Sequence, residues 1–131
     1  MRPWCSSGSL KTRRTKYSLA VLASLSEKRA LVPLLWFYEV GNGLLMAYRR
    51  KRISLDQIEG FLTRLKALPI DAGQQTPAEI LELPTLARSH GLTNYDAAYL
   101  ALAVRSGLPL ATMDNLLRKA SAAAGVKILT A

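Results

Sequence analysis

The sequence predicts an α/β fold, with a parallel sheet covered on both faces by helices. Three observations carry this. Short apolar runs of strand length alternate with segments of helical period. The helical segments are bounded by cap residues. Half of the 131 residues are hydrophobic, with no internal repeat and no low-complexity tract, which suffices for one domain with a real core.

The elements follow in order. Residues 1–16, "MRPWCSSGSLKTRRTK", are Ser/Gly-rich and basic with no period of 2 or 3.6, and are expected to be a disordered tail. Residues 17–131 form the expected domain. Tyr17 to Lys28 places Leu19, Val21, Leu22 and Leu25 at helical spacings. "ALVPL" (Ala30 to Leu34) fits a strand with a proline at its end. Leu35 to Arg50 reads as a helix despite Gly41 and Gly43. Ser54 reads as the N-cap of the helix "SLDQIEGFLTRLKAL". "LPID" (Leu68 to Asp71) reads as a strand. Thr76, Pro77 and Glu79 supply an N-cap, a first-turn proline and a capping box. That helix is expected to reach His90 and stop at Gly91. Thr93 opens the next, which ends on Gly107. "LPLAT" (Leu108 to Thr112) reads as a strand. Asn115 to Ala124 reads as a helix stopped by Gly125, and "VKIL" (Val126 to Leu129) as a last strand.

Composition excludes several classes. Cys5 is the only cysteine and His90 the only histidine, so an internal disulfide framework and a Cys/His zinc site are both ruled out. No apolar run approaches the roughly 20 residues of a membrane span. The basic N-terminus lacks the apolar stretch of a signal peptide, so a cytoplasmic location is expected. The net charge is +9, from 18 basic and 9 acidic residues. Five of the basic residues fall in the first 16 positions, without one acid. Arg49, Arg50, Lys51 and Arg52 form the other basic run. It suits either a solvated helix end, where cations complement the dipole, or a nucleic-acid contact.

Three acids stand apart from the rest. Glu39 is the only Asp, Glu, Lys or Arg between Arg29 and Arg49. Placed in a helix it has apolar neighbours on every side, so its charge needs compensation. Pairing with an arginine or backbone donors would supply it, as would a metal or a catalytic role. Asn42 shares its helix face. Asp96, in "GLTNYDAAYLALAV", sits in a Thr93-x-x-Asp96 capping arrangement, yet a first-turn carboxylate can also face a site at the strand ends. Asp114, in "LPLATMDNLLRKA", is an N-cap candidate at the carboxyl end of a strand, where open α/β sheets place their sites. Thr112 lies two residues earlier, on the same side of an extended chain. Three carboxylates without His or Cys make an all-oxygen donor set, suited to Mg²⁺ or Mn²⁺. Such an ion relieves their mutual repulsion, activates water and stabilises charge on a phosphoryl oxygen. In a basic protein the matching substrate is a nucleic-acid backbone. The bland reading of the same residues is two caps and one buried pair.

From about Tyr17 onward the chain resembles the PIN-domain ribonuclease toxins of bacterial toxin–antitoxin systems, the VapC-like group. The segments that carry the resemblance are "ALVPLLWFYEVGNGLLMAYRRKRIS", "ARSHGLTNYDAAYLALAVRSGLPLATMDNLL" and "AGVKIL", in the family's order. It implies a three-layer α/β/α sandwich and an endoribonuclease using Mg²⁺ or Mn²⁺ held by four acids. Glu39, Asp96 and Asp114 match three of those metal ligands, and Thr112 matches the family's hydroxyl position. The resemblance also implies an RNA substrate, an antitoxin partner and a homodimer. The family's first acid ends a central first strand. Residues 1–16 contain no Asp or Glu and no apolar strand. They are therefore expected to replace the ancestral start, through a frameshift or misplaced start codon. The expected alternative to an active toxin is a degenerate PIN-like domain that only binds antitoxin or RNA.

Overall fold

The computed structural model describes residues 29–129. The expected basic tail and the expected helix from Tyr17 to Lys28 lie outside them. The elements are β1 (Ala30–Pro33), α1 (Leu34–Arg49), α2 (Leu55–Ala67), β2 (Ile70–Gly73), α3 (Pro77–His90), α4 (Asn94–Ser106) and α5 (Asn115–Ala123). β1 and β2 pair in parallel, from Ala30 opposite Ile70 to Pro33 opposite Gly73. Helices α1 and α2 make the crossover between them. The α/β class with parallel pairing is thus as the sequence predicts.

The caps explain most of the helix limits. The Ser54 hydroxyl accepts from Gln57 N–H, and the Gln57 side chain accepts from Ser54 N–H. Thr76 and Glu79 close the same reciprocal box, with Pro77 beginning the helix. The Thr76 backbone N–H holds the Glu79 carboxyl below its usual range, and the neighbouring Arg105 guanidinium adds to the effect. Gly91 and Gly107 end α3 and α4 in the left-handed conformation that glycine adopts without a β-carbon penalty. Pro84 sits inside α3 at an exposed position, where water can solvate the carbonyl it leaves unbonded.

Three strand expectations need correction. The second strand runs over Ile70–Gly73, not Leu68–Asp71. Leu68 N–H is committed to Leu65 O at the end of α2, and Pro69 has no N–H to give. "LPLAT" and "VKIL" meet only at a parallel bridge between Leu110 and Ile128. Leu110 N–H donates to Lys127 O and Leu129 N–H to Leu110 O, both at 2.9 Å. On one side the ladder stops because Leu108 N–H is taken by Ala103 O and Val126 N–H by Ser121 O, each closing a helix C-terminus.

Helix α4 is the centre of the packing. It contacts β1, α3 and α5. One core cluster joins Val32, Trp36, Val40, Tyr99, Leu100, Leu110 and Leu117. A second joins Leu83 and Ala87 of α3 to Ala97 and Ala98 of α4, where small side chains let the helices approach closely. Gly73 ends β2 against α4. A β-carbon there would lie 2.5 and 2.7 Å from the two methyls of Leu102, itself buried. Gly73→Ala is therefore expected to destabilise by about 1–3 kcal/mol through overpacking, read as a lower urea midpoint at unchanged slope.

Candidate functional site

Glu39 lies mid-way along α1. The helix buries only Trp36 and Val40 fully, while Leu34, Phe37, Tyr38, Leu45, Met46 and Tyr48 are exposed. The expectation of apolar surroundings on every side is corrected accordingly. Glu39 is half-buried, at the boundary between the core seam and a cleft. On the core side the Tyr99 hydroxyl of α4 donates to Glu39 Oε1. On the open side a cleft of about 250 Å³ is lined by Glu39, Asn42, Gly43, Met46, Ala47, Arg50 and Arg52. The α1 residues of that set recur at three- and four-residue steps, so they form one stripe of the helix. Asn42 sits beside Glu39 as its spacing predicts.

Asp96 is 6% exposed in the first turn of α4. Its backbone N–H donates to the Thr93 hydroxyl at 3.1 Å. The helix N-terminus favours a negative charge here. Asp96 precedes Tyr99 by three residues, one helical turn, so both lie on the same side of α4. The helix that donates to Glu39 through Tyr99 thus also carries Asp96, one turn earlier.

Thr112 is fully buried. Its hydroxyl accepts from Asp114 N–H at 3.1 Å, and its carbonyl accepts from Arg118 Nε at 2.7 Å. The hydroxyl thus shapes the turn that launches α5. Asp114 caps that helix, with Oδ1 accepting from Leu116 N–H at 2.9 Å and Leu117 N–H at 3.3 Å. No hydrogen bond engages Asp114 Oδ2 among the described residues, so capping leaves one carboxylate oxygen available.

Among the described residues no three His, Cys, Asp or Glu side chains converge as a metal-ligand group. The donor chemistry nevertheless fits a hard divalent cation, since every candidate ligand is an oxygen and all three carboxylates are at least partly buried. Away from these residues, Asp71 is held below the usual carboxylate range by two hydrogen bonds from Arg29, at 2.8 and 2.9 Å on the surface.

Two features of the site were not legible in advance. Tyr99 emerges as the partner of Glu39, signalled only by its one-turn spacing from Asp96. Arg50 borders the Glu39 cleft because eleven residues make about three helical turns.

The PIN-domain family pattern matches residues 10–123, which is most of the chain. The chain belongs to the PIN-domain family. Among its relatives, Ribonuclease VapC3 of Pyrobaculum aerophilum is 40% identical over 85 residues, covering 61% of this chain. The chain spans 62% of that relative's length. The crystal structure of PAE2754 from Pyrobaculum aerophilum has a similar fold, with a TM-score of 0.61 and 28% identity, over 79% of this chain and 78% of that one. The sequence-based expectation of a PIN fold therefore holds. No helix among the described residues is long and apolar enough to cross a membrane.

Proposed function

We propose that this PIN domain is a metal-dependent endoribonuclease, the toxin of a toxin–antitoxin pair acting in the cytoplasm. The observation that supports the reading is the Tyr99–Glu39 hydrogen bond, which ties α1 to the helix that carries Asp96 one turn earlier. The relative named a ribonuclease supports the reaction class. Glu39, Asp96 and Asp114 would hold Mg²⁺ or Mn²⁺, with Thr112 fixing the Asp114 turn. When bound, such an ion supplies Lewis-acid stabilisation of a phosphodiester and activation of water. The protein's own residues orient and hold. Tyr99 fixes the Glu39 carboxylate, and the N-terminus of α5 fixes Asp114. Arg50 and Arg52 line the same cleft as Glu39, where they would neutralise phosphates of the RNA. An antitoxin and a second copy of the chain are the proposed protein partners.

A second reading has its own support. Residues 1–16 contain no Asp or Glu, and on this reading they do not supply the fourth acid that the family resemblance implies. The domain would then bind antitoxin or RNA without cutting. RNA cleavage by the purified protein separates the two. Cleavage with Mn²⁺, its loss in EDTA and its loss in Asp96→Asn are expected for the enzyme. A folded protein that binds RNA and leaves it intact in Mn²⁺ would establish the binding-only reading.

A further inference from the structure

The turn after α1 has an unusual backbone. Lys51 has φ +59°, the only non-glycine residue in the left-handed region among the described residues. Gly91, Gly107 and Gly125 occupy the other such positions. Arg52 N–H donates to Ala47 O and Lys51 N–H to Tyr48 O, each at 2.9 Å. This is a Schellman closure, whose left-handed residue is ordinarily glycine. A lysine there carries a steric penalty that glycine would not. The helix dipole accounts for cations at Arg49 and Arg50, within or beside the last turn. It does not account for a side chain at position 51.

The surroundings do. A groove of about 550 Å³ is lined by Tyr48, Arg49, Lys51, Arg52, Ile53, Ser54 and Gln57. Arg52 lines this groove and also the Glu39 cleft, so the two spaces adjoin through its side chain. The groove offers three cations and no carboxylate. Tyr48, 40% exposed, adds an aromatic ring. Cations that follow a backbone, with an aromatic platform beside them, are the features that bind single strands. A duplex keeps its bases stacked and offers none to such a ring.

We infer that the Lys51 turn is a single-stranded RNA track, running from the Glu39 cleft past Arg52 into the Tyr48 groove. Tyr48 stacks one base, while Lys51 and Arg52 hold the phosphates beside it. The inference rests on the ribonuclease reading for the identity of the strand, but its test does not depend on cleavage. Fluorescence anisotropy in EDTA would compare a labelled single-stranded RNA of about eight nucleotides with the same strand in a duplex. The single strand is expected to bind at least about tenfold tighter. Tyr48→Leu is expected to weaken it about 5- to 100-fold. Arg52→Ala is expected to reduce the salt slope by about 0.7. Lys51→Gly is the decisive variant. It is expected to raise Tm by about 3–5 °C by removing the penalty, and yet to weaken binding, with Lys51→Arg restoring it. Equal affinity for single strand and duplex would overturn the track. So would a stabilised Lys51→Gly protein with affinity and salt slope unchanged. RNA bound on this track yet uncut in Mn²⁺ would defeat the ribonuclease reading alone. RNA cut as in the parent by protein with Tyr48→Leu and Lys51→Gly would defeat the track alone.

Discussion

Trp36→Ala is expected to lower folding stability by about 3–5 kcal/mol, the range for removing a large aromatic from a filled core. Trp36 is 1% exposed and sits in the cluster that joins β1, α1, α4 and α5. Its ring meets Phe37 edge-on, with centroids 5.1 Å apart. Removing it empties the junction of four elements, and relaxation of one cannot refill the space without displacing the others. Small domains have only about 5–15 kcal/mol of net stability, so the variant should be substantially unfolded at moderate urea. Phe37→Ala is the control. Phe37 is 42% exposed, so its loss should cost far less. Urea midpoints of the two variants decide the matter. A Trp36→Ala loss under about 1 kcal/mol would show that this ring is not the keystone of the core.

The contrast between these neighbours also shows how far the sequence could be read. Caps are local chemistry. The bonds at Ser54, Thr76, Thr93 and Asp114 span two or three residues, and glycine marks the ends of α3 and α4. All of this is visible in a short window. Burial is not local. Helix α1 reads as apolar all round, yet Tyr38 faces away from the core while Trp36 fills it, because only one side of the helix meets β1 and α4. Strand limits were obscured for a related reason. Leu108 and Val126 read as strand residues, but their N–H groups were already claimed by preceding helices. At the site, Glu39 stood out through its isolation among apolar residues. Its partner did not, since Tyr99 lies 60 residues away and reads as one more apolar residue of α4.

That partner gives the strongest test of how the site is built. If the proposed ribonuclease reading holds, Glu39→Gln is expected to reduce RNA cleavage by well over about a hundredfold, because on that reading it removes a ligand charge outright. Tyr99→Phe keeps the charge and removes only the hydroxyl that orients it. Loss of such an outer partner typically costs 10- to 100-fold in metal affinity or activity. The two variants should therefore fall in that order, and both should respond differently to Mn²⁺. Raising Mn²⁺ should recover much of the Tyr99→Phe activity, since a misplaced carboxylate still binds at higher concentration. It should recover little for Glu39→Gln. The hydroxyl's contribution to folding is modest, about 0.5–1.5 kcal/mol for one hydrogen bond, so both proteins should remain folded under assay conditions. Thermal melts with and without Mn²⁺ supply a second readout. The parent's Tm should rise with Mn²⁺, Tyr99→Phe should need more Mn²⁺ for the same rise, and Glu39→Gln should show almost none. A Tyr99→Phe protein indistinguishable from the parent in both assays would mean that Glu39 is held by other groups, and that the α1–α4 link is packing alone.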